Sequence, residues 1–423
     1  MNPTVITLCF LAFAIIMFVL EKIPLGLTAT IVSVGLCVTG VLEPKQAFAG
    51  YADSNVILCV AMFVVGQALF ETGMDKIGGL VTKFAKSERQ LIIAIMVITG
   101  LMSGFLSNTG SAAVLIPVVV GIAAESGYSR SHLLMPLVFA AALGGNISII
   151  GAPGNLMGVS ALNELGIETS FFEYLIVGGP MMLAGILYFA LFGYKLLPKN
   201  SGAASLEDDQ FAVKDYSDVP KWKQYMSLAV LVIAILAMVF EKQIGIKLQV
   251  SASVGAIILI LTGVISEKEA LKSIDLKTVF LFGGSLALAT ALEHTGAGSL
   301  IADTLIGAMG NEVHPLILLV VIFVITCTMT NFMSNTATTA LMVPIAVSLA
   351  QGLGADPRAV VIATVIAGSC AYATPIGMPA NTMVVGIGGY KFIDYVKAGL
   401  PLILVSFIIC MVILPVAYPF FPA

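Results

Sequence analysis

The chain has 423 residues, of which 59% are apolar and only 10% are charged, and its mean hydropathy is +1.04. Soluble domains contain about half apolar and about a quarter charged residues, so this composition excludes a soluble protein and indicates an integral membrane protein. The net charge of −4 comes without a basic tail, so nothing in it points to a nucleic-acid partner.

Long apolar runs, rather than alternating apolar residues, recur along the chain, which predicts helices and not the strands of a membrane barrel. In the first part of the chain we expect three membrane-spanning helices, at residues 4–20, 27–42 and 55–70. The first run has no basic start and no small-residue cleavage site, so it predicts a spanning helix rather than a removable signal.

A polar triplet, Ser107-Asn108-Thr109, interrupts the next apolar run within the segment "FLSNTGSAAVLIPV". Because Ser, Asn and Thr favour the N-cap of helices, we expect the triplet at the tip of a re-entrant hairpin over residues 91–123, where free backbone N–H groups would face an anion. Unpaired carbonyls at the end of the preceding half-helix could bind a hard cation such as sodium.

The following run, residues 133–162, contains the segment "GAPGN", which begins at Gly151. Glycine and proline at this place predict a discontinuous helix whose break lines the same cavity as the hairpin tip. One further helix completes a first repeat of residues 1–197. The polar stretch of residues 198–224 predicts a linker.

Residues 225–423 repeat the same order of segments. The segment "FMSNTATTALMVPI" carries a second triplet, Ser334-Asn335-Thr336, 227 residues after the first, and "PIGMPANTM" matches "IIGAPGNLM" at an offset of 226. The predicted elements of this second repeat are scaffold helices within 226–292, a hairpin over 316–349 and a broken helix over 360–387.

If both triplets lie in re-entrant hairpins, each repeat crosses the membrane five times and the two repeats are inverted. This topology places 16 of the 20 Lys and Arg residues on one side of the membrane. The positive-inside rule then predicts a multi-pass protein of the plasma (inner) membrane with a cytoplasmic linker and both termini outside.

Charged residues are absent from 91–123, 133–162, 316–354 and 359–390. A carboxylate relay for protons and an arginine for an anion therefore have no candidate inside these runs, which favours sodium coupling through carbonyls and hydroxyls. The sequence also lacks H-E-x-x-H, G-x-S-x-G and an intramembrane Asp pair, which argues against an enzyme.

With the paired triplets, the Gly-x-Pro-x-Asn segments and the lead-in "TGVLEPKQAFAGYADSNVI", the sequence resembles the divalent anion/sodium symporter (DASS) family of the ion transporter superfamily. The resemblance implies a substrate site formed by Ser107, Asn108, Thr109, Pro153, Ser334, Asn335, Thr336, Met378 and Pro379. It also implies two Na⁺ sites, one formed by Ser103, Ser107, Asn108 and Gly151 and the other by Thr330, Ser334, Asn335 and Gly377. The resemblance implies Na⁺ as the co-transported ion, and no organic cofactor is expected.

The broken segments depart from that family at Ala152 and Met378, where family members usually carry hydroxyl residues. These side chains leave room for an anion that is smaller or more apolar than a C4-dicarboxylate. The resemblance further implies a homodimer that moves each hairpin-bearing domain as an elevator.

The sequence therefore predicts an all-α polytopic transporter that carries a small anion, most simply a di- or tricarboxylate, together with sodium. A sodium-independent anion exchanger and a sulfate-like oxyanion permease of the same superfamily are the alternatives, and the sodium dependence of uptake separates them. An ion channel, which would conduct without saturation, fits an internal inverted pair less well.

Overall fold

The computed structural model describes residues 2–72, 87–198, 219–309 and 314–421. Within these ranges the chain forms α-helices and two short 3₁₀ turns and contains no β-strand. Five of the described helical segments have at least 18 residues and are apolar enough to cross a membrane. The predicted all-helical, polytopic membrane fold is thereby confirmed.

The chain begins with four helices, α1 (Pro3–Leu20), α2 (Leu25–Val38), α3 (Pro44–Ala49) and α4 (Ser54–Thr72). Helix α1 begins where the Asn2 side chain accepts a hydrogen bond from the Thr4 backbone N–H, and it ends at Glu21, which adopts a left-handed conformation. A 3₁₀ turn over Gly50–Ala52 joins the short α3 to α4.

Five helices complete the first half: α5 (Glu88–Ser103), α6 (Asn108–Ser126), α7 (Arg130–Gly144), α8 (Pro153–Glu164) and α9 (Leu175–Leu191). Helices α5 and α6 lie where a hairpin was predicted, and α7 and α8 lie where a broken helix was predicted. Pro153 occupies the first position of α8, where its missing N–H costs no hydrogen bond.

The second half follows the polar stretch, of which residues 199–218 lie outside the described residues. Its first six helices are α10 (Lys221–Val239), α11 (Glu241–Ile244), α12 (Leu248–Leu261), α13 (Glu267–Ser273), α14 (Leu276–His294) and α15 (Ala297–Met309). The last five are α16 (Pro315–Thr330), α17 (Asn335–Gly352), α18 (Pro357–Ser369), α19 (Pro379–Gly388) and α20 (Phe392–Ala417). The sequence did not predict α15, which follows α14 after a two-residue turn.

Helices α2 and α14 cross closely because glycines lie where they meet. A Cβ atom at Gly284 would be 2.6 Å from the carbonyl oxygen of Ala29, and one at Gly26 would be 2.9 Å from the carbonyl oxygen of Lys277. The backbones therefore approach each other without intervening side chains, as small residues permit in membrane helices. This contact joins the two halves of the chain.

The hairpins and broken helices of the two halves interleave. Helix α8 packs against α17 and α18, whereas α19 packs against α6 and α7. At one end an ion pair also joins the halves: Arg358 lies 2.6 Å from Glu173, whose side chain is 3% exposed. The Arg358 guanidinium also lies 4.9 Å from the ring centre of Tyr418, so the buried carboxylate has a fixed partner.

We expect Gly284→Ala to destabilise the protein by about 1–3 kcal/mol, because its methyl group would clash with the α2 backbone. Thermal unfolding of the purified protein in detergent measures this as a lower Tm.

The matched control is Gly121→Ala in α6, where an added Cβ meets no atom within 4 Å. Alanine favours a helix more than glycine does, by about 1 kcal/mol, so this variant should unfold at an equal or higher temperature. Equal losses in both variants would contradict the close α2–α14 crossing.

Candidate functional site

The first hairpin tip lies between the end of α5 at Ser103 and the start of α6 at Asn108. Ser107 is the N-cap of α6, and its hydroxyl oxygen accepts a hydrogen bond from the Gly110 N–H at 3.0 Å. The tip therefore combines the negative end of one helix dipole with the positive end of another. Cations are favoured at the first and anions at the second.

Oxygen atoms crowd around the Asn108 side chain. The Ser103 hydroxyl lies 2.6 Å from the Ala141 carbonyl oxygen and 2.7 Å from the Asn108 amide. The same amide atom lies within 3.2 Å of the carbonyl oxygens of Ala141 and Gly151. If that atom is Nδ2, it donates hydrogen bonds to both carbonyls; if it is Oδ1, four neutral oxygens converge, as a sodium ion requires.

The second hairpin tip repeats this arrangement between α16 and α17. Ser334 caps α17 by accepting from the Ala337 N–H at 3.1 Å. The Thr330 hydroxyl lies 2.9 Å from Asn335 Oδ1 and donates to the Gly368 carbonyl oxygen. Each residue in these contacts lies 227 positions after the residue that makes the same contact in the first half. We call residues at matching places in the two halves equivalent.

Asparagine side chains hold both helix breaks in shape. Asn155 Nδ2 donates to the carbonyl oxygens of Gly145 and Ser148, both at 2.7 Å. In the second half Asn381 Nδ2 donates to the carbonyl oxygens of residues 371 and 374, at 2.7 and 3.0 Å. The breaks thus keep their non-helical backbone satisfied inside the protein, which hydrocarbon surroundings demand.

Two tyrosines from the following helices brace these asparagines. The Tyr174 hydroxyl donates to the Asn155 carbonyl oxygen at 2.9 Å, and the Tyr395 hydroxyl donates to that of Asn381 at 2.8 Å. Both tyrosine side chains are fully buried. The sequence carried a signal for them, since the blocks "FFEYLIVGGP" and "FIDYVKAGLP" align their tyrosines, but no role was predicted.

Hydroxyl groups in the breaks tie the breaks to the hairpin tips. Ser148 donates to the Gly104 carbonyl oxygen, and its equivalent Thr374 donates to that of Asn331. These contacts were also not predicted from the sequence. They bring Gly151 and Gly377 against the tips: a Cβ at Gly377 would be 2.7 Å from the Thr330 carbonyl oxygen.

Most predicted ion ligands therefore come together in two clusters. Ser103, Asn108 and Gly151 converge in the first, and Thr330, Asn335 and Gly377 come together in the second. Ser107 and Ser334 lie beside the clusters as helix caps. Among the described residues no group of three His, Cys, Asp or Glu side chains could hold a metal. The contacts of both clusters are made by hydroxyl, amide and carbonyl groups without a formal charge.

The predicted substrate residues differ in how accessible they are. Thr109, Pro153 and Thr336 are partly exposed and Pro379 is exposed, whereas Met378 is buried with 2% exposure. Ser107 and Pro153 share a pocket of about 30 Å³ with α4 residues. That volume admits water, whereas pockets for small organic ligands measure about 300–1,000 Å³.

Comparisons with known proteins place the chain among transporters. A family model described as "Citrate transporter" matches residues 15–367. An uncharacterized transporter from Haemophilus influenzae is 30% identical over 95% of this chain and 89% of its own length. The sodium-dependent dicarboxylate transporter SdcS of Staphylococcus aureus (strain USA300) is 25% identical over 95% of this chain and 84% of its own.

The fold is also similar to that of solved transporters. The crystal structure of the Alcanivorax borkumensis YdaH transporter matches all of this chain and all of its own, with a TM-score of 0.66 and 15% identity. At that identity the likeness concerns the fold alone.

We expect Asn155→Ala to lower the Tm, because two buried carbonyl oxygens lose their donor. A buried acceptor left without a partner costs about 1–3 kcal/mol. Asn381→Ala should have a similar effect through the equivalent break.

Asn163→Ala is the matched control, since Asn163 is exposed near the end of the same helix α8. Its unfolding free energy should change by no more than about 0.5 kcal/mol. A Tm of Asn155→Ala equal to that of the control would contradict the bracing role.

Proposed function

The chain belongs to the citrate transporter family, and from this premise we propose that it is a sodium-coupled symporter of a small di- or tricarboxylate. The duplicated cluster of neutral oxygens at the hairpin tips carries this proposal. Carbonyl, hydroxyl and amide oxygens suit Na⁺, and the clusters contain no carboxylate that could carry a proton. The sodium-dependent function of SdcS is in line with it.

In the proposed mechanism each tip binds one sodium ion. The first ion is bound by Ser103, Asn108 and the Gly151 carbonyl oxygen, and the second by the equivalent residues of the other half. Their charge then lies next to the N-termini of α6 and α17. Two positive charges in a region without ionised side chains lower the electrostatic cost of bringing in a carboxylate anion.

The proposed substrate site lies between the two tips. Backbone N–H groups at the starts of α6 and α17, with the side chains of Asn108, Thr109, Asn335 and Thr336, would donate hydrogen bonds to the two ends of the anion. Pro153 and Pro379 would line the cavity from the breaks. Because Met378 is buried, we propose that it shapes the wall behind Pro379 and limits the size of the substrate.

The interleaved hairpins and broken helices favour movement as one unit. We propose that α5–α9 and α16–α20 travel as an elevator against α1–α4 and α10–α14, and that the latter form the contact of a homodimer. Helices α2 and α14 of this scaffold are joined by backbone contacts at glycines, which suits a static part. The two repeats are proposed as residues 1–197 and 225–423.

We expect proteoliposomes to take up labelled succinate or citrate when an inward sodium gradient is applied, and not when potassium replaces sodium. Asn108→Ala and Asn335→Ala should each lower the rate by roughly tenfold to a hundredfold, because each removes a ligand to a charged group worth about 1.5–3 kcal/mol. Initial rates under both gradients measure the effect.

Asn163→Ala again serves as the control and should transport at the wild-type rate. Uptake that is indifferent to sodium in the wild type would contradict symport and would favour the exchanger or permease. Rates that survive the loss of both asparagines would contradict the proposed sites.

The inverted topology makes a further prediction about two equivalent lysines. Lys45 in α3 and Lys268 in α13 are both exposed and lie 223 residues apart. Inversion places Lys45 outside and Lys268 in the cytoplasm. In a background without the native cysteines, Lys45→Cys should therefore react with a membrane-impermeant maleimide on intact cells, and Lys268→Cys only after permeabilisation.

Labelling of both cysteines from the same side would contradict the inversion, because equivalent positions of parallel repeats share a side.

A further inference from the structure

An open apolar groove lies on the outside of the second half, between α16 and α20. Its volume is about 780 Å³. Phe323 and Phe407 close one end with ring centres 5.4 Å apart. Val324, Leu400 and Leu404 form its walls and are more than half exposed. An open apolar space of this size is large enough for a drug-sized or lipid-sized ligand.

The equivalent place in the first half, between α5 and α9, is filled. A Cβ at Gly100 would lie 1.9 Å from the Met182 Cε atom, and one at Gly104 would lie 3.1 Å from the Ile147 Cβ atom. The Met182 and Ile147 side chains thus occupy the space that the two glycines leave. Met182 is 7% exposed, so the two helices pack without a gap.

Four substitutions between the halves open the groove. Cys327 and Asn331 replace the two glycines, Ala373 replaces the isoleucine, and Ile403 replaces the methionine. The Asn331 side chain donates to the Cys370 carbonyl oxygen of the break at 3.1 Å and so does not extend into the groove. The smaller Ala373 and the shorter, β-branched Ile403 then fail to fill the space between the helices.

The opening of the groove is continuous with the surface that meets the bilayer. Both helices that form it are apolar, and their outward residues are exposed in the structure of a multi-pass membrane protein. In the hydrocarbon layer such a groove is filled by an apolar chain rather than by water. Phe332 and Phe392 flank it and are more than half exposed.

Positive charge lies at the start of α20, next to the residues that line the groove. Lys391 and Lys397 are exposed and adjoin Phe392 and Val396, which belong to the lining. The one acidic residue in this turn, Asp394, is 9% exposed and accepts a hydrogen bond from the Lys391 backbone N–H at 2.8 Å. Exposed lysines at the end of a membrane helix attract anionic lipid headgroups.

We propose that the groove binds one acyl chain of an anionic phospholipid, whose headgroup lies against Lys391 and Lys397. The chain then covers Asn331 and Thr374, which also line the groove and whose hydrogen bond ties the second hairpin tip to its break. The lipid thereby supports one hairpin tip and not the other. This assignment does not depend on sodium coupling or on the identity of the transported anion.

Native mass spectrometry of the delipidated full-length protein tests the proposal. Phosphatidylglycerol and phosphatidylcholine with identical acyl chains are added separately, and the bound lipid that survives gas-phase activation is counted. The wild type should retain one phosphatidylglycerol per chain in preference to phosphatidylcholine.

The test variant is Thr328→Phe, which places a ring in the groove from an exposed position on α16. Its matched control is Leu101→Phe, the equivalent exposed position on α5. Thr328→Phe should retain about tenfold less lipid, the effect of losing the burial of roughly two methylene groups. Leu101→Phe should retain as much as the wild type.

Two more variants keep the test decisive if Thr328→Phe folds poorly. Ala373→Ile introduces the first-half residue and should also reduce retention, whereas Lys397→Gln should remove the preference for the anionic lipid. Lys277→Gln, at the start of α14, controls for the loss of any one exposed lysine.

Equal retention by the groove variants and their control would overturn the proposal, as would equal retention of both lipids by the wild type. A changed oligomeric state in Thr328→Phe with unchanged lipid retention would assign the groove to a second copy of the chain instead.

Discussion

The need to satisfy backbone hydrogen bonds away from water governs this structure. Four polypeptide segments stop being helical within apolar surroundings, and an unpaired carbonyl there costs several kcal/mol. Asn155 and Asn381 meet that cost by donating two hydrogen bonds each to the carbonyls of their breaks. The carbonyl oxygens of Ala141 and Gly368, in the last turns of α7 and α18, accept hydrogen bonds from the hydroxyls of Ser103 and Thr330 at the hairpin tips. The hairpin tips are thus tied to the ends of the helices that lead into the breaks, and Asn155 and Asn381 hold those breaks in place.

The two clusters are alike where they would bind ions and differ where the protein meets the bilayer. The hydroxyl, amide and carbonyl contacts at the tips recur at a constant offset. The surfaces that face the bilayer do not recur in the same way. In the first half Met182 fills the space beside Gly100, whereas in the second half Cys327 and Ile403 line an open groove. A carrier built from two such halves can keep paired binding sites and still give each hairpin its own environment. That difference is a route by which lipid could act on one tip alone.

Composition and repetition predicted the helical membrane fold, because apolar runs of this length have no other stable form in lipid. That Ser103, Asn108 and Gly151 lie together was implied only by the resemblance to the symporter family, not by composition or repetition. The contacts of the Ala141 and Gly368 carbonyl oxygens could not be predicted, since every residue has a carbonyl and only the packing of α7 and α18 against the tips brings these two to the hydroxyls. The burial of Met378 was also not predicted. Adjacent residues can face opposite ways, and here Met378 is buried whereas Pro379 is exposed. Helix α15 was missed because it is too short to stand out as a spanning run.

The central claim is that the two tips are separate and equal sodium sites. Equilibrium binding of radioactive sodium to the purified protein, without any transport step, tests it most directly. The wild type should bind one more sodium ion per chain than Ser103→Ala, and also one more than Thr330→Val, since each variant lacks one hydroxyl ligand. Unchanged stoichiometry in either variant would show that its tip holds no sodium ion and would contradict the account.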